Sequence, residues 1–248
     1  MYEPPKPVSW RITSQPPPLD PTTVHLWRVR TGEDGEDPDH GLTWLAPPQR
    51  ERAARLRDSR VRARFLRAQI GLRRILAAYV GCHPRAIELH HEPRGKPYLA
   101  PHLDEAAAGL QFNLTTTGDL ALVAVGSGMP LGVDCEQIRP RSNLQAIAER
   151  MFAPAVVEAL ASAPEALKLA QFHLAWTALE ADVKADGRGL FRARPPRARP
   201  PTVAHCTPAP GYVAAVAREG LAPPEGWLAL ELCSGQSASS PDLSPGTW

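Results

Sequence analysis

The chain has 248 residues, 43% of them hydrophobic and 22% charged, with a formal net charge of +2. This is enough chain for one large domain or two smaller ones with a proper core, and its charge balance gives no sign of a nucleic-acid partner. No apolar run reaches the ~18–20 residues of a bilayer span, no charged-then-apolar leader opens the chain, and Cys82, Cys135, Cys206 and Cys233 show no CxxC or Cys/His spacing, so a reduced, cytoplasmic, monomeric protein without membrane or nucleic-acid partners is expected.

In chain order, residues 1–22 are proline-rich and lack periodicity, which reads as an extended lead-in. Val24–Val29 alternates as a first strand does. Thr31–His40 is a polar loop, and Pro48–Val80 is an arginine-dense helical region of two helices, with Phe65, Ile70, Ile75, Leu76 and Tyr79 on its apolar side. Ala86–His90 is a short strand, and Glu92-Pro-Arg-Gly-Lys-Pro97 a turn. Leu110–Leu114 and Leu120–Val125 read as strands, Thr115–Asp119 as the turn between them, and Leu131–Glu136 as a third strand completing a meander. Ser162-Ala-Pro-Glu165 has the form of a capping box, opening a helix whose apolar stripe is Leu169, Phe172, Trp176, Leu179 and Val183 and whose stop is Gly187. Residues 192–210 read as irregular, Gly211–Ala217 and Trp227–Leu232 as strands, and 234–248 as a mobile tail. The order of elements suggests α+β, divided as residues 23–125 and 126–233.

Only four of the 28 basic residues are lysines (Lys6, Lys96, Lys168, Lys184), so each lysine is informative. Asp134 and Glu136 are two positions apart on a strand, hence on one face, with Val133 and Cys135 on the other. They form either a solvated acidic face or the oxygen half of a divalent cation site, for which Mg²⁺ is the natural ion. Glu180 and Lys184, one helical turn apart, make an ordinary surface pair or add a third carboxylate and a phosphate-neutralising ammonium. Lys96 is a plain loop lysine or an anion contact. The hydroxyls of Thr115, Thr116 and Thr117 make ordinary turn bonds or cradle a phosphate.

The order of Gly95-Lys-Pro97, Phe112-Asn-Leu-Thr-Thr-Thr-Gly-Asp119, Gly132-Val-Asp-Cys-Glu136 and Trp176-Thr-Ala-Leu-Glu-Ala-Asp-Val-Lys184 resembles the Sfp-type 4'-phosphopantetheinyl transferases. The resemblance implies a pseudo-twofold fold of two similar α/β halves with coenzyme A between them. It implies Mg²⁺-dependent transfer of the phosphopantetheine arm to a serine of an apo acyl or peptidyl carrier protein, releasing 3',5'-ADP. Asp134, Glu136 and Glu180 would hold the metal, and Glu180 or a metal-held water would take the serine proton. Lys184 would support the leaving phosphate, while Arg64, Lys96, Thr115, Thr116 and Arg52 would meet coenzyme A. The arginine-dense face of residues 50–74 would suit an acidic carrier helix. The family's Ser-His-Ser appears as Thr115-Thr116-Thr117, the lysine of its Lys-Glu-Ala as Leu179, and an acidic residue as Val156. The alternatives are a diverged homologue that binds carrier or coenzyme A without transferring the arm, and a phosphoesterase using the same carboxylates.

Overall fold

The computed structural model describes residues 4–107, 109–194 and 199–233, so the expected tail at 234–248 lies outside the described residues. In chain order the elements are β1 (Arg11–Thr13), β2 (His25–Arg30), α1 (Pro47–Arg55), α2 (Ser59–Val80), β3 (Leu89–His91), β4 (Pro97–Leu99), α3 (Pro101–Ala106), β5 (Leu110–Thr117), β6 (Leu120–Ser127), β7 (Leu131–Gln137), α4 (Leu144–Met151), α5 (Pro154–Ala161), α6 (Glu165–Asp186), β8 (Thr202–Cys206), β9 (Tyr212–Arg218) and β10 (Leu228–Leu232). This is a mixed α/β architecture. One sheet has the order β1-β10-β2-β6-β5, a second the order β7-β9-β8, and β3 and β4 form a small hairpin.

The arginine-dense region divides as the pattern requires. Pro47 opens α1, and Asp58 caps α2 by accepting from the backbone N–H groups of Arg60 (2.8 Å) and Val61 (3.1 Å). The helix ends at Gly81 in the left-handed region. Its apolar face covers the larger sheet, where Leu72, Ile75 and Leu76 pack with Trp27, Val123 and Val125. Residues two apart on β2 face the same way, so His25 and Trp27 both meet Tyr79 of α2. The Trp27 indole donates to the Tyr79 hydroxyl at 2.9 Å, leaving that hydroxyl to donate to His25 Nδ1 at 2.6 Å. Burial lowers the His25 pKa to about 4, so the ring stays neutral.

The lead-in is built into the fold. Residues 11–13 add β1 to the sheet edge, parallel to β10, while Trp10 donates to the Pro208 carbonyl and lies under the Arg28 guanidinium. Strand β10 inserts between β1 and β2, and its buried Glu231 accepts from both Arg28 and Arg30. Burial alone would raise the Glu231 pKa, but these hydrogen bonds outweigh it and hold the carboxyl below its usual range.

The second sheet differs from the expected meander. Strand β7 pairs with β9, not β6. It also lies alongside β5, so polar side chains from one sheet meet the other. The stretch expected as a turn at Thr115–Thr117 instead extends β5, leaving Gly118 and Asp119 as the tight turn to β6. Gly118 has φ +52°, and a side chain there would collide with the Tyr212 hydroxyl and Gln137.

Helix α6 packs on β7 and β9 with backbone-to-backbone closeness. A Cβ on Gly132 would sit 2.1 Å from the Ala181 carbonyl oxygen and 2.5 Å from the Ala185 nitrogen. Ala181 and Ala185 meet Ala215 and Ala217 in the same small-residue contact. The helix buries Phe172 and Val183 as its stripe suggests, but also this alanine face, which hydropathy reads as bland. Phe172 is fully buried and contributes roughly 1.5–3 kcal/mol. The expected capping box is absent: Ser162 closes α5, and Pro164 precedes α6 without a side-chain cap. Strand β8 forms within the stretch expected to be irregular because its residues complete the β9 ladder.

Candidate active site

Strand β7, strand β5 and helix α6 converge on an open cleft of about 330 Å³. It is lined by Leu114, Thr115, Thr116, Asp134, Cys135, Glu136, Trp176, Glu180 and Lys184. Alternation on β7 turns Asp134 and Glu136 to this side and Leu131, Val133 and Cys135 into the core. The i, i+4 spacing on α6 brings Glu180 and Lys184 to the same wall. Gly132 fixes the separation of the two walls.

Asp134 is only 4% exposed. Its Oδ1 accepts from Lys184 Nζ at 2.6 Å and from the Thr115 hydroxyl at 3.0 Å. Its Oδ2 is buried without a hydrogen-bond partner. Burial raises the Asp134 pKa, against the pull of Lys184. Burial also raises Glu136, with the Asp134 charge adding to the effect and Arg141, 3.9 Å away, opposing it. Glu180 is raised by burial as well, and its Oε2 lies 4.0 Å from Lys184 Nζ. Asp134 and Glu180 thus share the Lys184 ammonium, while Glu136 faces the Arg141 guanidinium.

The sequence-expected residues separate into two groups. Asp134, Glu136, Glu180, Lys184, Thr115 and Thr116 meet at the cleft. Of the last two, Thr116 is exposed, whereas the Thr115 hydroxyl is spent on Asp134. Lys96 donates to the carbonyls of Ala185 (2.5 Å) and Leu131 (3.2 Å), and burial lowers its pKa. It thereby ties the hairpin turn to the end of α6 and the start of β7. Arg64 pairs with Asp119 at 2.6 Å and lines a separate concavity of about 570 Å³ with Arg60 and Arg67. Arg52 lies over the Phe65 ring, 5.0 Å from its centroid. Asp134, Glu136, Glu180 and Lys184 line the smaller cleft and are absent from the lining of the larger concavity.

Sequence reasoning missed Arg141, which sits beside Glu136 and over the stacked Phe172 and Trp176 rings. It also missed Asn113, and it gave Thr115 and Thr117 to turn bonds or a phosphate where the structure turns them, with Asn113, toward β7. Asn113 Oδ1 accepts from the Val133 N–H at 2.9 Å, and Thr117 Oγ1 accepts from the Gln137 N–H at 3.3 Å. Their period-two spacing on a strand was the available signal.

Among the described residues, no three His, Cys, Asp or Glu side chains stand close enough to enclose a metal ion as they are. Lys184 bridges Asp134 and Glu180 instead. The donor set nevertheless suits a hard divalent cation: three oxygen ligands, one of them with an unpartnered buried atom, and three acids whose charge burial disfavours.

The model of the 4'-phosphopantetheinyl transferase superfamily matches residues 130–223, which span β7 to β9 and include the β7 and α6 walls of the cleft. The chain is 36% identical over 169 residues to the 4'-phosphopantetheinyl transferase HetI of Nostoc sp., covering 68% of this chain and 70% of that protein. The chain belongs to the 4'-phosphopantetheinyl transferase family. It is also 30% identical over 146 residues to a putative 4'-phosphopantetheinyl transferase, slr0495, of Synechocystis sp., covering 59% of this chain and 58% of that protein. To the transferase psf-1 of Bacillus pumilus it is 31% identical over 127 residues, 51% of each chain. As a 4'-phosphopantetheinyl transferase it is an enzyme, and Asp134, Glu136, Glu180 and Lys184 lie within the stretch that the family model matches, whereas the β5 residues of the cleft precede it.

Proposed function

We propose that this chain, an Sfp-type enzyme, transfers the 4'-phosphopantetheine arm of coenzyme A to a serine of an apo acyl or peptidyl carrier protein and releases 3',5'-ADP. The observation that carries this reading is the convergence of Asp134, Glu136, Glu180 and Lys184 on one open cleft. Mg²⁺, held by Asp134, Glu136 and Glu180, would neutralise the coenzyme A pyrophosphate. In the reaction the carrier serine oxygen bonds to the phosphorus that bears the arm, and the bond from that phosphorus to the bridging oxygen breaks. The electron pair leaves with 3',5'-ADP. Glu180, or a water held by the metal, would take the serine proton. The Lys184 ammonium offsets charge on the leaving phosphate. Thr116, exposed at the cleft, offers a hydroxyl donor to phosphate, and Arg64 and Arg52 would extend the coenzyme A surface, whereas the Lys96 ammonium is already held by two carbonyls. The two halves would be residues 23–125, which supply β2, β5 and β6 of the larger sheet, and 126–233, which supply the β7-β9-β8 sheet and lend β10 to the larger one, with coenzyme A across their junction at β5 and β7.

The reading also makes the protein a cytoplasmic monomer. Among the described residues no helix is long and apolar enough to cross a membrane, and Cys135 and Cys206 are buried core thiols. Incubating an apo carrier protein with coenzyme A and Mg²⁺ tests the reaction. A carrier mass gain of one arm, abolished by Glu180→Gln, supports it. Coenzyme A binding without transfer to any carrier in a panel would replace it with a binding role.

A further inference from the structure

Strands β5 and β7 lie side by side without forming a backbone ladder. What joins them is a row of β5 side chains two residues apart. Asn113 receives the Val133 N–H (2.9 Å), Thr115 donates to Asp134 Oδ1 (3.0 Å), and Thr117 receives the Gln137 N–H (3.3 Å) while its hydroxyl reaches 3.5 Å from Glu136 Oε2. The partner numbers rise together, so the strands run parallel and each step of two on β5 matches a step on β7. Side-chain oxygens thus replace part of the ladder that two adjacent strands would otherwise share.

This substitution has a chemical consequence. A backbone ladder between β5 and β7 would hold only the main chain of β7, whereas hydroxyls reach its side chains. An Asp carboxylate has one freely turning bond beyond Cβ, and Lys184 alone would let Asp134 pivot about a single contact. The Thr115 hydroxyl supplies the second contact to the same oxygen, which fixes the carboxyl plane and leaves Oδ2 unpartnered. Thr115 is itself buried, so water does not compete for the bond. Thr117 stands in the same relation to Glu136, at longer range and anchored by the Gln137 N–H that donates to its Oγ1.

We infer that Thr115 and Thr117 are positioning residues: their hydroxyls orient Asp134 and Glu136 from across the sheet junction. The inference rests on the proposed function, in which those two carboxylates hold the divalent ion. Partners behind a metal ligand commonly carry 10- to 100-fold in metal affinity.

Valine and serine separate this role from packing. Thr115→Val keeps the side chain's shape and removes the hydroxyl, whereas Thr115→Ser keeps the hydroxyl and removes a methyl. The same pair of changes applies at Thr117. Mn²⁺ binding, followed by the electron paramagnetic resonance of the free ion, is read alongside the thermal melting of each protein. We expect Thr115→Val to bind Mn²⁺ about tenfold more weakly and Thr117→Val several-fold more weakly, with kcat for carrier modification falling more than KM rises. Each Ser variant should restore Mn²⁺ binding to near the wild-type value even where it melts lower. If wild type binds Mn²⁺ and Thr115→Val binds it equally, or if Ser is as weak as Val, the inference is overturned while the proposed function stands. If wild type binds no Mn²⁺, both are overturned.

Discussion

Replacing Gly132 with alanine adds one methyl group where the structure has no room for it. The glycine does not have a positive φ, so backbone strain plays no part in the expected effect. The new Cβ would lie 2.1 Å from the Ala181 carbonyl oxygen and 2.5 Å from the Ala185 nitrogen. Both are main-chain atoms of α6, so no side chain can rotate away. Restoring ordinary contact near 3.5 Å moves the helix by more than about 1 Å. Overpacking of this kind costs about 1–3 kcal/mol, and a rigid main-chain clash lies at the upper end. For a chain of this size each kcal/mol lowers Tm by about 2–4 °C, so Gly132→Ala should melt roughly 6–12 °C below wild type. Lys184 and Glu180 ride on the displaced helix while Asp134 and Glu136 stay on β7. A displacement near 1 Å costs about 10²-fold in rate. Circular dichroism melting and the rate of carrier modification read both effects. Gly226→Ala, whose nearest neighbour is the Ala222 Cβ at 3.3 Å, is the control and should change stability by less than about 1 kcal/mol. A Gly132→Ala protein with wild-type melting and wild-type rate would refute the claim that this contact sets the cleft.

Two further outcomes follow from the buried groups. His25 is neutral in the folded chain with a pKa of about 4, whereas the unfolded chain protonates it near 6.5. The unfolded state therefore binds more protons between these values, and stability that is complete above pH 6.5 is lost as pH falls to 4, by about 3 kcal/mol; urea titrations should show this loss disappearing in His25→Gln. Lys184→Met leaves Asp134 buried without its cationic partner, held by the Thr115 hydroxyl and the Cys135 backbone N–H. The partial exposure of Lys184, 29% of its side chain, limits the cost to about 1–3 kcal/mol at pH 7. Because the unpaired Asp134 then favours its protonated form still more, the deficit should shrink at pH 4; a deficit that does not vary with pH would contradict it.

Much of the site was legible because strand and helix periodicity act locally. Two carboxylates at i and i+2 on an apolar strand share a face whatever the tertiary fold, and Glu180 and Lys184 share one whatever helix α6 packs on. The arginine-dense helices were legible through their apolar side, while the break between them at Asp58 came from the structure. What lay beyond the sequence was set by distant partners. Thr115–Thr117 looked like a turn because three hydroxyls beside Gly118 have turn chemistry, yet pairing with β6 keeps them extended. β7 looked like the third strand of a meander because it follows β6 closely, but its ladder partner β9 is some 80 residues on in sequence. Lys96 looked available because a Gly-Lys-Pro turn is exposed locally. Only the approach of α6 and β7 gives its ammonium two carbonyls. The alanine face of α6 and Gly132 are legible only as a pair, since neither is a signal without the other.

The central claim is that the Asp134–Glu136–Glu180–Lys184 cleft moves a phosphopantetheine arm. Intact-mass spectrometry of an apo carrier protein incubated with coenzyme A and Mg²⁺, with 3',5'-ADP quantified in the same mixture, tests it most directly. The wild-type chain should add one arm per carrier and release one equivalent of 3',5'-ADP, and Glu180→Gln should do neither. A carrier modified equally by both proteins, or 3',5'-ADP released without carrier modification, would contradict it.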